Sequence, residues 1–156
     1  MIILGYQGIG KSTLGGHNDV IDLESSNFWN NGKRPDDWYV YYCKVARNLS
    51  KQDYIVFVSS HKVVQDELKK CCDSVYTVFP SLALKKDWIE KLRVRYLFTE
   101  SIKDYKAWKN AEEKYAENIS ELIMSGFQYY MIESMDYRLQ DIVDYLVEFE
   151  NEWHKK

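Results

Sequence analysis

The stretch from Gly5 to Thr13 constrains this chain more than any other feature. Gly5-Tyr6-Gln7-Gly8-Ile9-Gly10-Lys11-Ser12 carries the full GxxxxGK[ST] pattern, Thr13 follows, and the apolar run Ile2-Ile3-Leu4 leads straight into it. Glycine reaches backbone conformations closed to other residues, so glycines at this spacing let successive N–H groups turn inward around an anion. A short helix opening at Gly10 or Lys11 adds its dipole at the same point. Lys11 is then placed to bridge the β- and γ-phosphates of a nucleoside triphosphate, and Ser12 to hold Mg²⁺. On this reading Gly5, Gly8, Ile9, Gly10, Lys11, Ser12 and Thr13 bind the cofactor, and ATP with Mg²⁺ is the expected pair.

The rest of the chain alternates in character. Val20 to Leu23, Tyr54 to Val58, Val75 to Phe79 and Tyr129 to Glu133 read as further strands. The run Tyr54-Ile55-Val56-Phe57-Val58 is the strongest: continuously apolar and rich in β-branched and aromatic residues, as in a sheet covered on both faces. Helical patterns fill the intervals at 38–49, 62–72, 84–96 and 103–124, with a last one at 139–153. Ser81 is the expected cap of the third of these. Five strands alternating with helices predict an α/β fold with a five-stranded parallel sheet and right-handed crossovers, its ligands bound outside the carboxyl ends of the strands. No linker or repeat divides residues 1–156, so one domain is expected. The segment at about 25–50 is expected on the substrate side, and the one at about 91–110 as a lid.

Composition narrows the partners. With 21 basic and 24 acidic residues the net charge is -3, which gives no general attraction to nucleic acid or anionic membrane. No run approaches the roughly 18 to 20 apolar residues of a membrane helix, and no secretion signal is visible at the N-terminus. Cys43, Cys71 and Cys72 lack metal-ligand spacing and are odd in number, the pattern of free thiols in a reducing cytoplasm. A cytoplasmic enzyme acting on a small molecule is the expectation.

Candidate site residues follow from the same geometry. Asp22 and Glu24 flank Leu23 at the end of the second strand, and residues two apart on an extended chain share a face. Both carboxylates can thus point toward the phosphate site, Asp22 as metal ligand or base and Glu24 as a substrate contact. Arg34 and Lys33 in the early loop, and Lys85, Lys86, Lys91, Arg93 and Arg95 farther on, offer cations to close over a transferring phosphate. His61 stands at a strand exit as a further substrate contact. Phe28-Trp29 and Trp38-Tyr39 can stack a base or pack the loop onto the core, and packing is the stronger alternative.

These residues resemble the nucleoside and nucleotide kinase branch of P-loop proteins, the group with adenylate, thymidylate, shikimate and gluconate kinases. The likeness rests on the strand that enters Gly5 to Thr13, on Asp22-Leu23-Glu24, which is similar to the acidic pair of shikimate kinases, and on Phe79-Pro80-Ser81 followed by Trp88 to Arg95. More particularly, the chain looks like small phage or bacterial proteins described as adenylate-kinase-like. The resemblance implies a three-layer P-loop NTPase fold, Lys11 and Asp22 as catalytic residues with Arg93 and Arg95 from a lid, and Arg34 on the acceptor. One departure stands out. Where many members have a carboxylate or DG-type motif after the third strand, this chain has Ser59-Ser60-His61. The implied activity is phosphoryl transfer from ATP, with a nucleoside monophosphate as acceptor or, alternatively, a small hydroxyl compound or a nucleic-acid end. A non-catalytic ATP-binding regulatory module is the competing reading.

Overall fold

The computed structural model describes residues 1–28, 33–70 and 74–155. The chain forms β1 (Ile2–Gly5), α1 (Lys11–Leu14), β2 (Val20–Asp22), α2 (Trp38–Lys51), β3 (Ile55–Ser59), α3 (Lys62–Leu68), β4 (Val75–Pro80), α4 (Lys85–Thr99), α5 (Ile102–Ile123), β5 (Gln128–Ile132) and α6 (Leu139–His154). Single 3₁₀ turns occupy Ser25–Phe28 and Leu82–Leu84. The five strands form one sheet in the order β2-β3-β1-β4-β5, and every pairing is parallel. The expected α/β class and parallel five-stranded sheet are therefore present.

β1 is central because it is apolar on both faces. Ile3 joins Phe57, Tyr76, Val78 and Phe79 in a core under α4, α5 and α6, while Ile2 and Leu4 join Val56, Val58 and Val75 in a second core under α2 and α3. The alternation of side chains along a strand divides neighbours between the two layers. The helices answer with stripes at helical spacing: Trp38, Tyr42, Cys43 and Ala46 on α2, and Ala107, Ala111, Tyr115, Ile119 and Leu122 on α5. Each large side chain so buried contributes about 1.5–3 kcal/mol. Truncating Phe57, which is fully buried, to alanine would cost about 3–5 kcal/mol.

Two expectations are corrected in detail. Ser81 makes no side-chain cap bond; it precedes the 3₁₀ turn, and its carbonyl accepts the Tyr115 hydroxyl at 2.7 Å. The helix that carries a serine cap is α5, where Ser101 Oγ accepts the Asp104 N–H at 3.1 Å. The helix expected at 62–72 is observed as Lys62–Leu68, and Cys71 and Cys72 lie outside the described residues, as does Trp29. Cys43 is a buried free thiol. Among the described residues no helix is long and apolar enough to cross a membrane.

The parallel arrangement puts all carboxyl ends on one edge. Gly5 is level with Ser59 of β3 and with Val78 of β4, and Asp22 is level with Phe57. Beyond the ladder, Tyr42 closes the gap between β2 and β3. Its hydroxyl donates to the Leu23 carbonyl at 2.6 Å and accepts the Ser59 N–H at 2.9 Å.

Candidate functional site

The loop leaving β1 is shaped by its glycines. Gly8 and Gly10 have φ of 87° and 106°, the left-handed region where a side chain is strained. A Cβ on Gly8 would in addition lie 2.9 Å from Leu92 Cδ2. Side chains from distant elements take the loop carbonyls. Trp88 Nε1 on α4 donates to the Gln7 carbonyl at 2.9 Å, and the Tyr137 hydroxyl donates to the Ile9 carbonyl at 2.8 Å, with the Gly8 carbonyl at 3.4 Å. Gln7 Nε2 reaches across to the Ala107 carbonyl at 3.0 Å and to Asn110 Oδ1 at 3.3 Å. Tyr6 and Ile9 are almost fully buried. With carbonyls engaged on the outer side, the N–H groups of Gly8 and Gly10 are left without a protein acceptor among the described residues.

α1 is a single turn. Its dipole is correspondingly small, and the loop amides rather than a long helix supply the partial positive charge expected there. Lys11 Nζ folds back to donate to the Gly5 carbonyl at 3.2 Å. Burial of its ammonium pushes its pKa down, and the charges of Asp22 and Glu24 oppose that shift. Ser12 and Thr13 are exposed.

Asp22, the last residue of β2, and Glu24 just beyond it are close enough for each carboxyl to shift the other. Burial, with the Glu24 charge, holds Asp22 above the usual carboxylate range against the pull of Lys11. Burial also pulls Glu24 upward, but Lys103 outweighs it by hydrogen bond and charge, so Glu24 lies below its usual value. Asp22 is the member of the pair that holds a proton more readily. Lys103 Nζ sits 2.7 Å from Glu24 Oε2, bringing the first turn of α5 onto the end of β2.

The segment expected as a lid lies in a helical hairpin, α4 and α5 joined at Glu100 in the left-handed conformation. It separates the two expected arginines. Arg95 pairs with Asp104 at 2.9 Å, and its charge is felt by Lys11. Arg93 is turned to Glu90 in an exposed pair at 2.6 Å and is not brought to the group. Residues two apart on a helix stand about 200° apart around its axis, so one helix does not present both to one point.

On the β2–β3 side, Arg34 donates to Ser25 Oγ at 3.3 Å and its guanidinium lies 4.2 Å from the centroid of Trp38. His61 packs edge-on against Trp38 at 5.7 Å, and its Nδ1 lies 2.7 Å from Ser59 Oγ. Burial, then the charges of Arg34 and Lys11, push the imidazole down to about 4. His61 as a residue is exposed, which screens the effect, and the direction leaves a neutral imidazole at neutral pH. Phe28 and Trp38 meet Tyr42 at 5.2 and 5.3 Å, so both rings pack the segment onto the core.

Lys103, Trp88 and Tyr137 are additions to the site that the sequence reading did not single out for it. Only Lys103 had a local signal: Ser101 three residues before Asp104 marks a helix start. Trp88 and Tyr137 lie 81 and 128 residues from the carbonyls they hold, separations that no local pattern encodes.

Among the described residues no group of three or more His, Cys, Asp or Glu is arranged to hold a metal ion. A divalent ion here would need ligands from Ser12 and the Asp22–Glu24 pair, completed by groups from outside the protein. No family model matches the sequence, and no curated protein is significantly similar to it.

Proposed function

We propose that this protein is an ATP-dependent phosphotransferase of the P-loop NTPase fold, with a nucleoside monophosphate as acceptor. The observation that carries the reading is the loop after β1: its Gly8 and Gly10 amides lack protein acceptors, and Lys11 and the Asp22–Glu24 pair stand beside it. A polyphosphate meets all three needs at once. It accepts from the amides, neutralises a cation whose burial disfavours its charge, and brings a metal to the carboxylates.

The residues divide the work. Gly5, Gly8, Ile9, Gly10, Lys11, Ser12 and Thr13 form the triphosphate cradle. Ser12 and Asp22 would hold Mg²⁺, which supplies charge neutralisation on the phosphates. As the acceptor oxygen forms its bond to the γ-phosphorus and the bond to the β–γ bridging oxygen breaks, Lys11 and Arg95 balance the charge passing to ADP. Arg34 and the neutral His61 take the acceptor. For a hydroxyl acceptor, Asp22 takes its proton. Arg93 has no part in this set. A reaction without nucleic acid or membrane fits the net charge of -3, and the cysteine pattern is the ground for placing it in the cytoplasm.

A specific observation favours a second reading, a non-catalytic ATP-binding module: β3 ends in Ser59-Ser60-His61, with no carboxylate. The deciding experiment incubates purified protein with ATP and Mg²⁺ against ribo- and deoxynucleoside monophosphates, nucleosides and small hydroxy acids, and reads ADP. Release dependent on one acceptor class is expected. ATP binding with no stimulation by any acceptor would move the conclusion to the binding module.

A further inference from the structure

The loop carbonyls are held by a chain that begins outside the loop. Lys91 Nζ donates to the Tyr137 hydroxyl at 2.9 Å, and that hydroxyl donates onward to the Ile9 carbonyl at 2.8 Å. The ammonium also lies over two stacked rings, 4.4 Å from the centroid of Trp88 and 4.9 Å from that of Tyr137, which are themselves 5.7 Å apart and inclined by 23°. The Ile9 carbonyl and the Gly10 N–H belong to one peptide unit. A donor on the carbonyl, itself polarised by a cation, draws electron density toward the oxygen and makes the N–H a stronger donor. The same hydrogen bond fixes the plane of that peptide, and with it the direction of the N–H. Gly10, at φ 106°, has no side chain to resist another orientation.

We infer that Tyr137 is a positioning residue for the phosphate loop, and that Lys91 acts through it, so that the Lys91–Tyr137–Ile9 chain aims and strengthens the Gly10 N–H toward a bound polyphosphate. Lys91 is thereby a device of the loop's outer wall rather than a cation that closes over the transferring group. Burial keeps the Tyr137 hydroxyl protonated, up at about 12, as a donor must be. The inference rests on the proposed phosphate site and adds two residues to it that touch no part of the nucleotide.

The test uses the full chain with inorganic tripolyphosphate and with Mg-ATP as probes. Tyr137→Phe keeps the ring on Trp88 and removes only the hydroxyl. Lys91→Met keeps the length of the side chain and removes the charge. Each is expected to lower affinity for both probes by about 5- to 10-fold, and the double variant should lose no more than Tyr137→Phe alone. In the tripolyphosphate-bound protein the Gly10 amide proton resonance should move upfield in Tyr137→Phe, a signature that lost packing alone does not give. Unchanged affinity in Tyr137→Phe overturns the inference while leaving the site in place. Losses that multiply in the double variant overturn the role of Lys91 through Tyr137. Wild-type protein that binds neither probe sinks the phosphate site and this inference together.

Discussion

The loop after β1 and the segment that leaves β2 meet at the same edge of the sheet, yet they are held in different ways. The loop is fixed from three directions. Trp88 from α4, Tyr137 from the turn before α6, and Gln7 reaching to α5 each secure it, and Tyr6 and Ile9 are buried beneath it. The segment after β2 rests on Arg34 with Ser25, on the Arg34–Trp38 stack, and on ring edges of Phe28. Most of its described residues are exposed or half-buried. On the proposed function the first region is the triphosphate cradle, and it gains from rigidity because preorganised donors need no rearrangement during reaction. On the same proposal the second region takes the acceptor, and contacts at the end of a less buried segment suit adjustment around it.

The sharpest way to break this comparison is to empty the rigid side of its charge. Lys11→Ala is expected to lower turnover by about 10³-fold. Burial already disfavours the Lys11 ammonium, so the melting temperature of the ligand-free protein should hold or rise. Turnover at the wild-type rate in this variant would refute the phosphate mechanism, and a collapse in melting temperature would make Lys11 a structural residue.

Asp22→Asn comes next. The expected loss is about 10²-fold in kcat, with a much smaller change in ATP affinity. Stability moves the other way. The native pKa of Asp22 lies above its ordinary value of 3.8, so what the protonated form contributes is present below that value and lost as the pH rises through the native pKa. At neutral pH the ionised group is a cost, and asparagine removes it. Thermal melts at pH 7 should show a higher melting temperature than wild type, the gap closing as the pH falls toward 4. Equal losses in kcat and in ATP affinity would make Asp22 a metal anchor alone.

The same contrast explains what the sequence let one read. The strand from Ile55 is buried at Val56, Phe57 and Val58, and a run apolar on both faces has few other places to go. Asp22 and Glu24 were readable because the period of a strand is local. Arg93 and Arg95 were grouped by neighbourhood, whereas α4 turns them apart. Tyr137 and Trp88 had no legible signal, since each is an ordinary aromatic until the sheet order brings it to the loop. Serine before a helical run pointed to Ser81, but the 3₁₀ turn at Leu82–Leu84 intervenes and the working cap is Ser101. Local chemistry thus shows where the loop is, and long-range topology decides what holds it.

On the looser side the expected effects are smaller and fall on the acceptor. Arg34→Ala should raise the acceptor KM by about 10-fold with ATP affinity unchanged, measured by initial rates at saturating ATP. A matching loss of ATP affinity would mean that the segment after β2 supports the donor site as well, and the division between the two regions would fail.

The smallest expected effect is the most discriminating. Arg93 and Arg95 have the same side chain, lie two residues apart on α4, and each pairs with a carboxylate. Arg95 pairs with Asp104 on the hairpin's other arm and lies where its charge reaches Lys11, while Arg93 pairs with Glu90 one turn back on its own helix. An exposed pair of that kind is screened by solvent and contributes little. Arg93→Ala should therefore change kcat/KM by less than about 2-fold and the melting temperature little, against about 10-fold for Arg95→Ala. Equal losses in the two variants would require α4 to turn or bend about its axis when nucleotide binds, because a straight helix keeps the two guanidinium groups about 200° apart. The rigid side of the site would then extend only as far as Trp88 and Lys91, and the end of the hairpin would belong with the adaptable region.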